Sequence, residues 1–199
     1  MTRTTWRALL GLALTLGLGA CGNGDDLPVN VASISESLPK LEQAALQWRS
    51  DAYLVDATID LLSGHPYLPL ANGYFQSPTT VFEGVLIYLE QDGSITAEVV
   101  SHENQVRQVI PITKDDWKLD AQEALAGGLT PEGRRYLEEN ADDQCSFMIL
   151  ERDVPDAPER VVWRVALGGC LLEPPFQSIV IDANTGEVLR QRTYSAPSE

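Results

Sequence analysis

Residues 81–100 read VFEGVLIYLE, then QDG, then SITAEVV. The first run is rich in Val, Ile, Leu, Phe and Tyr, the composition of a strand. Asp92-Gly93 supplies the pair of residues that a tight hairpin turn prefers, because Gly adopts positive φ without a steric penalty. The second run returns at strand length. The segment therefore predicts an antiparallel hairpin, and the rest of the chain is read outward from it.

Upstream, residues 52–61 alternate: Tyr53, Val55, Ala57, Ile59 and Leu61 point one way, and Leu54, Asp56, Thr58 and Asp60 the other. This is the period of a half-buried strand. Gly64, Pro66, Pro69, Gly73 and Pro78 make residues 63–79 a loop by composition. Further upstream, Ser37 precedes Pro39, and Leu38, Leu41, Ala45 and Trp48 recur at helical spacing, which predicts a helix over 38–50 capped by Ser37. Downstream, a further strand is expected over 106–112.

The second half repeats this grammar. Asp120 with Glu123 is a capping-box pattern ahead of Ala124-Leu125, Gly127-Gly128 stops that helix, and Thr130-Pro131 starts another reaching Asn140. Strands are expected at 145–152, 161–168, 177–182 and 187–194, with Asn184-Thr185-Gly186 as a turn. Ala45-Leu46 corresponds to Ala124-Leu125, and Gly93 to Gly186, at unequal offsets. The fold class is α+β: antiparallel sheet with helices packed on one face.

The second half also resembles a known family. Trp117-Lys118-Leu119-Asp120 with Ala124-Leu125, then Val162-Trp163-Arg164-Val165, then Ile179-Val180-Ile181-Asp182-Ala183-Asn184-Thr185-Gly186-Glu187-Val188 looks like a PepSY or PepSY-like domain across residues 116–192. The resemblance implies a helix on a small antiparallel sheet, with the first half a degenerate copy. It also implies binding or inhibition of a peptidase, or regulation at the cell surface, rather than catalysis. The helix 131–140 and the paired cysteines depart from the family pattern. Four regions are expected: a leader over 1–20, a tether over 21–36, and two PepSY-like units over 37–113 and 114–194.

The leader is read from Arg3 and Arg7 followed by ALLGLALTLGLGA, thirteen residues without charge. That run is too short to cross a bilayer core of about 30 Å and matches a signal peptide. Leu18-Gly19-Ala20-Cys21 resembles the bacterial lipobox, which implies that Cys21 becomes the acylated first residue. Two or three acyl chains, as that resemblance implies, would anchor the protein stably where one holds only marginally. The expected location is the cell envelope, lipid-anchored and extracytoplasmic, with the membrane as one partner and an envelope protein or peptide as another.

With residues 1–20 removed, 12 basic residues face 29 acidic ones, a net charge of −17. So negative a chain disfavours nucleic acid as a partner. In an exported chain Cys145 and Cys170 default to a disulfide. A hairpin centred near residues 157–158 sets positions whose numbers sum to 315 opposite each other, and these two cysteines satisfy that register.

No catalytic motif emerges. Asp182-Ala183-Asn184-Thr185-Gly186 is a turn rather than a calcium loop, since an EF-hand needs Gly at its sixth position and Glu at its twelfth, where this chain has Thr193. His65 and His102 lack metal-ligand spacing. No cofactor or metal is expected. Trp117, beside Asp115-Asp116, is a candidate binding anchor if exposed, as are His65, Tyr67, Tyr74 and Phe75 in the long loop. A non-catalytic binding module is the first functional expectation. A carrier of a small apolar ligand and an envelope hydrolase are the alternatives.

Overall fold

The structure is a computed structural model and describes residues 27, 29, 31–61, 69–102, 109–140, 146–168 and 176–194. Among these described residues three α-helices and a short 3-10 turn (Lys114–Asp116) accompany one eight-stranded antiparallel sheet. The strands are β1 (Tyr53–Asp60), β2 (Ala71–Ser77), β3 (Thr80–Leu89), β4 (Ile95–Ser101), β5 (Phe147–Asp153), β6 (Ala157–Leu167), β7 (Gln177–Asp182) and β8 (Val188–Thr193). Their order is β4-β3-β2-β1-β5-β6-β7-β8. Each half of the chain thus lays down a four-stranded meander, and the two meanders join through the antiparallel pair β1–β5. One continuous core runs beneath both, from Val85 and Ile87 through Ala57, Ile59 and Leu150 to Trp163 and Ile181. Each such aliphatic side chain contributes roughly 1.5–3 kcal/mol on burial.

The hairpin at 81–100 forms as read. Gly93 takes φ +82°, and the Asp92 carboxylate accepts from the Ser94 N–H at 2.8 Å. Gly186, at φ +76°, serves the matching turn, where Asp182 accepts from the N–H groups of Asn184 and Thr185.

Helix α1 spans Ile34–Trp48, four residues ahead of the expected start. Its cap is Ser33, whose hydroxyl accepts from the Glu36 N–H. Its other early amides meet a carboxylate distant in sequence: Asp120 accepts from the N–H of Ile34 at 3.0 Å and of Ser35 at 3.3 Å, and from the Ser33 hydroxyl at 2.6 Å. Asp120 also caps its own helix, α2 (Ala121–Gly128), with Glu123 completing the capping box as expected. One carboxylate thus serves two helix N-termini, where partial positive charge accumulates. Burial works against this charge, but the hydrogen bonds outweigh it and hold the Asp120 carboxyl below the usual range. Helix α3 (Pro131–Glu139) starts at Thr130-Pro131 as read.

Three strand expectations change. Residues 71–77, read as loop, form β2, paired on both sides. Gly73 is there for packing: a Cβ at that position would lie 2.8 Å from the Phe75 ring. A bulge between Leu54 and Asp56 also shifts the alternation of β1, so Leu54 joins Ala57 and Ile59 in the core while Tyr53 and Val55 are only half-buried. In place of a strand over 106–112, Ile112 makes an isolated bridge to Leu54, and residues 103–108 lie outside the described residues.

Candidate binding surface

The two ends of the sheet are β4 and β8, and among the described residues neither has a strand on its outer side. On β4 the hydrogen-bond pattern sets which groups point outward. The Glu90 N–H donates to Ser94 O at 2.9 Å, and the His102 N–H donates to Phe82 O at 2.8 Å. In an antiparallel ladder alternate residues share a direction, so residues 94, 96, 98, 100 and 102 turn their backbone groups toward β3. Ile95, Ala97, Val99 and Ser101 turn theirs away from the sheet. The side chains of the first three lie on the core face, opposite Leu89, Ile87 and Val85. Ile95 is 40% exposed and Val99 is 51% exposed. Sheet edges are ordinarily protected by charge, Pro or short length. β4 has seven residues, no Pro, and one charge, Glu98.

Charge is divided unevenly between the meanders. From Asp51 to Glu103 there are eight Asp and Glu and no Lys or Arg. The second meander carries Arg152, Arg160, Arg164, Arg190 and Arg192. Arg190 reaches Asp153 and Asp156, and Arg164 meets Glu151 at 2.5 Å. Arg192 lies over the Tyr194 ring at 5.7 Å and has no carboxylate within ion-pair distance among the described residues. With Arg164 and Arg190 it borders an open cleft of about 410 Å³ on the outer face of β6–β8.

At the seam, Asp56 of β1 lies one step past the Ala57–Leu150 pair, which sets it facing Glu151 of β5. Burial pushes the Asp56 carboxyl up to about 7, and the nearby Glu151 charge adds to the rise. The alternation of residues 52–61 puts Asp56 on the polar face but carries no sign of its burial, because the neighbour responsible comes from a strand about ninety residues later.

The candidate residues read from the sequence are not brought together. Trp117 is buried, not an exposed anchor: it packs edge-on to Trp163 with ring centroids 6.5 Å apart, and its exposure is 5%. Phe75 is a core residue of β2. Tyr74 is half-buried on the other face of that strand, with its hydroxyl 3.0 Å from His102 Nε2. His65 and Tyr67 lie outside the described residues, as do Cys21, Cys145 and Cys170. The described β5–β6 register pairs Phe147 with Ala166 and Ile149 with Arg164, positions summing to 313. The hairpin is thus shifted two residues from the register on which the Cys145–Cys170 pairing was drawn.

Comparison with protein-family models, with curated proteins and with solved structures finds no match to this chain. The function is therefore argued from its own surfaces. Among the described residues no group of three or more His, Cys, Asp or Glu is placed to hold a metal ion, and no helix is long and apolar enough to cross a membrane. Between α1 and β1 an open pocket of about 290 Å³ is lined by Leu46, Leu54, Phe75 and Ile112, with Glu42 and Lys114 at its rim. Burial raises the Glu42 carboxyl and Lys114 partly offsets that rise.

Proposed function

We propose that this protein is a non-catalytic, lipid-anchored extracytoplasmic binding protein that takes up an extended segment of another polypeptide as a ninth strand along β4. The observation that carries this reading is the row of outward backbone groups at Ile95, Ala97, Val99 and Ser101, flanked by the exposed side chains of Ile95 and Val99. Main-chain hydrogen bonds supply affinity in strand addition, and alternate side chains supply specificity. The anchor at Cys21 and the acidic body set the place of action: a soluble domain on a tether beside a bilayer. An envelope peptidase is the partner class that the PepSY resemblance implies. The paired meanders, each preceded by a helix, support reading the chain as two PepSY-like units that have merged their sheets.

The test uses Ala97→Pro, which deletes one outward N–H and leaves the β3 ladder intact. A photoreactive side chain at Val99 in the native host should cross-link a defined envelope protein, and Ala97→Pro should abolish that product. Equal cross-linking with and without Pro would sink the strand-addition reading. Cys21→Ser should release the protein from the membrane fraction, and its retention there would remove the anchor. The carrier reading has the pocket beneath α1 in its favour. Displacement of an apolar fluorescent probe that is lost on Leu46→Glu would support it.

A further inference from the structure

We infer that the β4 edge of one copy accepts the β8 edge of another, so that copies join their sheets head to tail. This rests on the reading of β4 as a strand-accepting edge and names its occupant. On β8, the Tyr194 N–H donates to Phe176 O at 2.9 Å, and Ser178 pairs with Arg192 and Val180 with Arg190. Residues 190, 192 and 194 therefore turn toward β7, and Gln191 and Thr193 turn outward. In an antiparallel junction outward residues face outward residues. Ile95, Ala97, Val99 and Ser101 must then oppose Gln191 and Thr193, and all of these side chains belong to the core face of their own sheet.

The same parity forces Glu98 to face an even-numbered position of β8. In each of the two central registers that position is an arginine, Arg190 or Arg192. Arg190 is already held by Asp153 and Asp156. Arg192 is 5.7 Å from a ring and free of carboxylates among the described residues. The favoured register therefore sets Glu98 opposite Arg192, Val99 opposite Gln191 and Ala97 opposite Thr193. An opposite-charge pair directly across a sheet is favourable, and a like-charge pair is not. Pairing of β4 with a second β4 lacks any such positive partner, since the first meander has no Lys or Arg. Because the two edges lie at opposite ends of one sheet, the contact is heterologous and builds an open row rather than a closed pair. A shared membrane would raise the local concentration of copies and favour the row.

The experiment is sedimentation velocity on the purified full-length protein over a range of concentrations. The wild type should shift from monomer to multiples of its mass as concentration rises. Glu98→Arg and Arg192→Glu should each weaken association about tenfold or more, by setting like charges across the junction. Mixing these two variants should restore association, because each variant's β4 is then opposite in charge to the other's β8 at this position, and the two should alternate along the row. A wild type that remains monomeric throughout, or a mixture that behaves as its separate components, would overturn the inference. If the wild type is monomeric but the Val99 cross-link to an envelope protein still depends on Ala97, the strand-accepting reading stands and only the choice of occupant fails. If that cross-link is also unaffected by Ala97→Pro, both fail.

Discussion

The two meanders are built alike and charged differently. Each is four antiparallel strands after a helix, and each contributes its first strand to the seam. The first has no Lys or Arg, and its outer strand exposes Ile95 and Val99. The second has five arginines, four of them engaged with carboxylates, and its outer strand reads VLRQRT. The same architecture thus ends in an apolar edge on one side and a cationic edge on the other. Backbone topology makes an edge, and side chains decide what that edge accepts.

The largest effect is expected where the second meander grips the segment between the halves. The Arg152 side chain, 6% exposed, pairs with Asp116 at 3.0 Å and donates to Ile110 O, Pro111 O and Glu159 O. Removing one partner of a buried, hydrogen-bonded pair typically costs about 3–5 kcal/mol. Arg152→Ala should therefore lower the urea-unfolding free energy by about 3 kcal/mol. A loss below about 1 kcal/mol would mean that the meanders hold together without this strut.

Next comes the seam. The Asp56 carboxyl is raised to about 7 in the folded chain from an ordinary value of 3.8. Between those values the folded state binds the proton and the unfolded state does not. Stability must then fall as pH rises from about 4 to about 7, and level off above. Asp56→Asn should match the wild type near pH 4 and exceed it by about 2 kcal/mol or more at pH 8, measured by urea unfolding at each pH. Parallel pH profiles for the two proteins would refute the buried-carboxyl account.

A smaller effect is expected at the shared cap. Asp120→Ala strips amides of both α1 and α2 of their acceptor, for a loss of about 1–2 kcal/mol. Because the cap ties a helix of each half together, hydrogen exchange should quicken at the starts of both helices. Faster exchange at α2 alone would show that Ser33 suffices for α1. The smallest concerns the bare edge: Ala97→Pro should cost under about 1 kcal/mol, whereas Glu98→Pro, which removes an N–H that points to β3, should cost clearly more. Equal losses in thermal unfolding would overturn the assignment of outward and inward groups on β4.

Local signals were legible where the chemistry is local. The Asp92-Gly93 and Asp182–Gly186 turns, the capping box of Asp120 with Glu123, the Thr130-Pro131 helix start and most strands formed within a few residues of where they were read. β2 was not legible, because Gly73 and the neighbouring prolines signal loop, while the pairing that makes it a strand comes from β1 and β3. Trp117 shows the same limit: the two aspartates before it leave an exposed anchor open, and only Trp163, from a distant strand, decides for burial. The β4 edge could not be found from periodicity, which describes a strand equally well in the middle of a sheet or at its border.

The amino-acid order by itself determined the element types, the turns and the uneven charge, since these depend on neighbours within a few residues. Only the tertiary structure decided that two meanders share one sheet, that Asp120 serves two helices, that Asp56 is half-buried beside Glu151, and which strands are left as edges. Those features arise from contacts between residues far apart in the chain, and such contacts exist only once the chain has closed on itself.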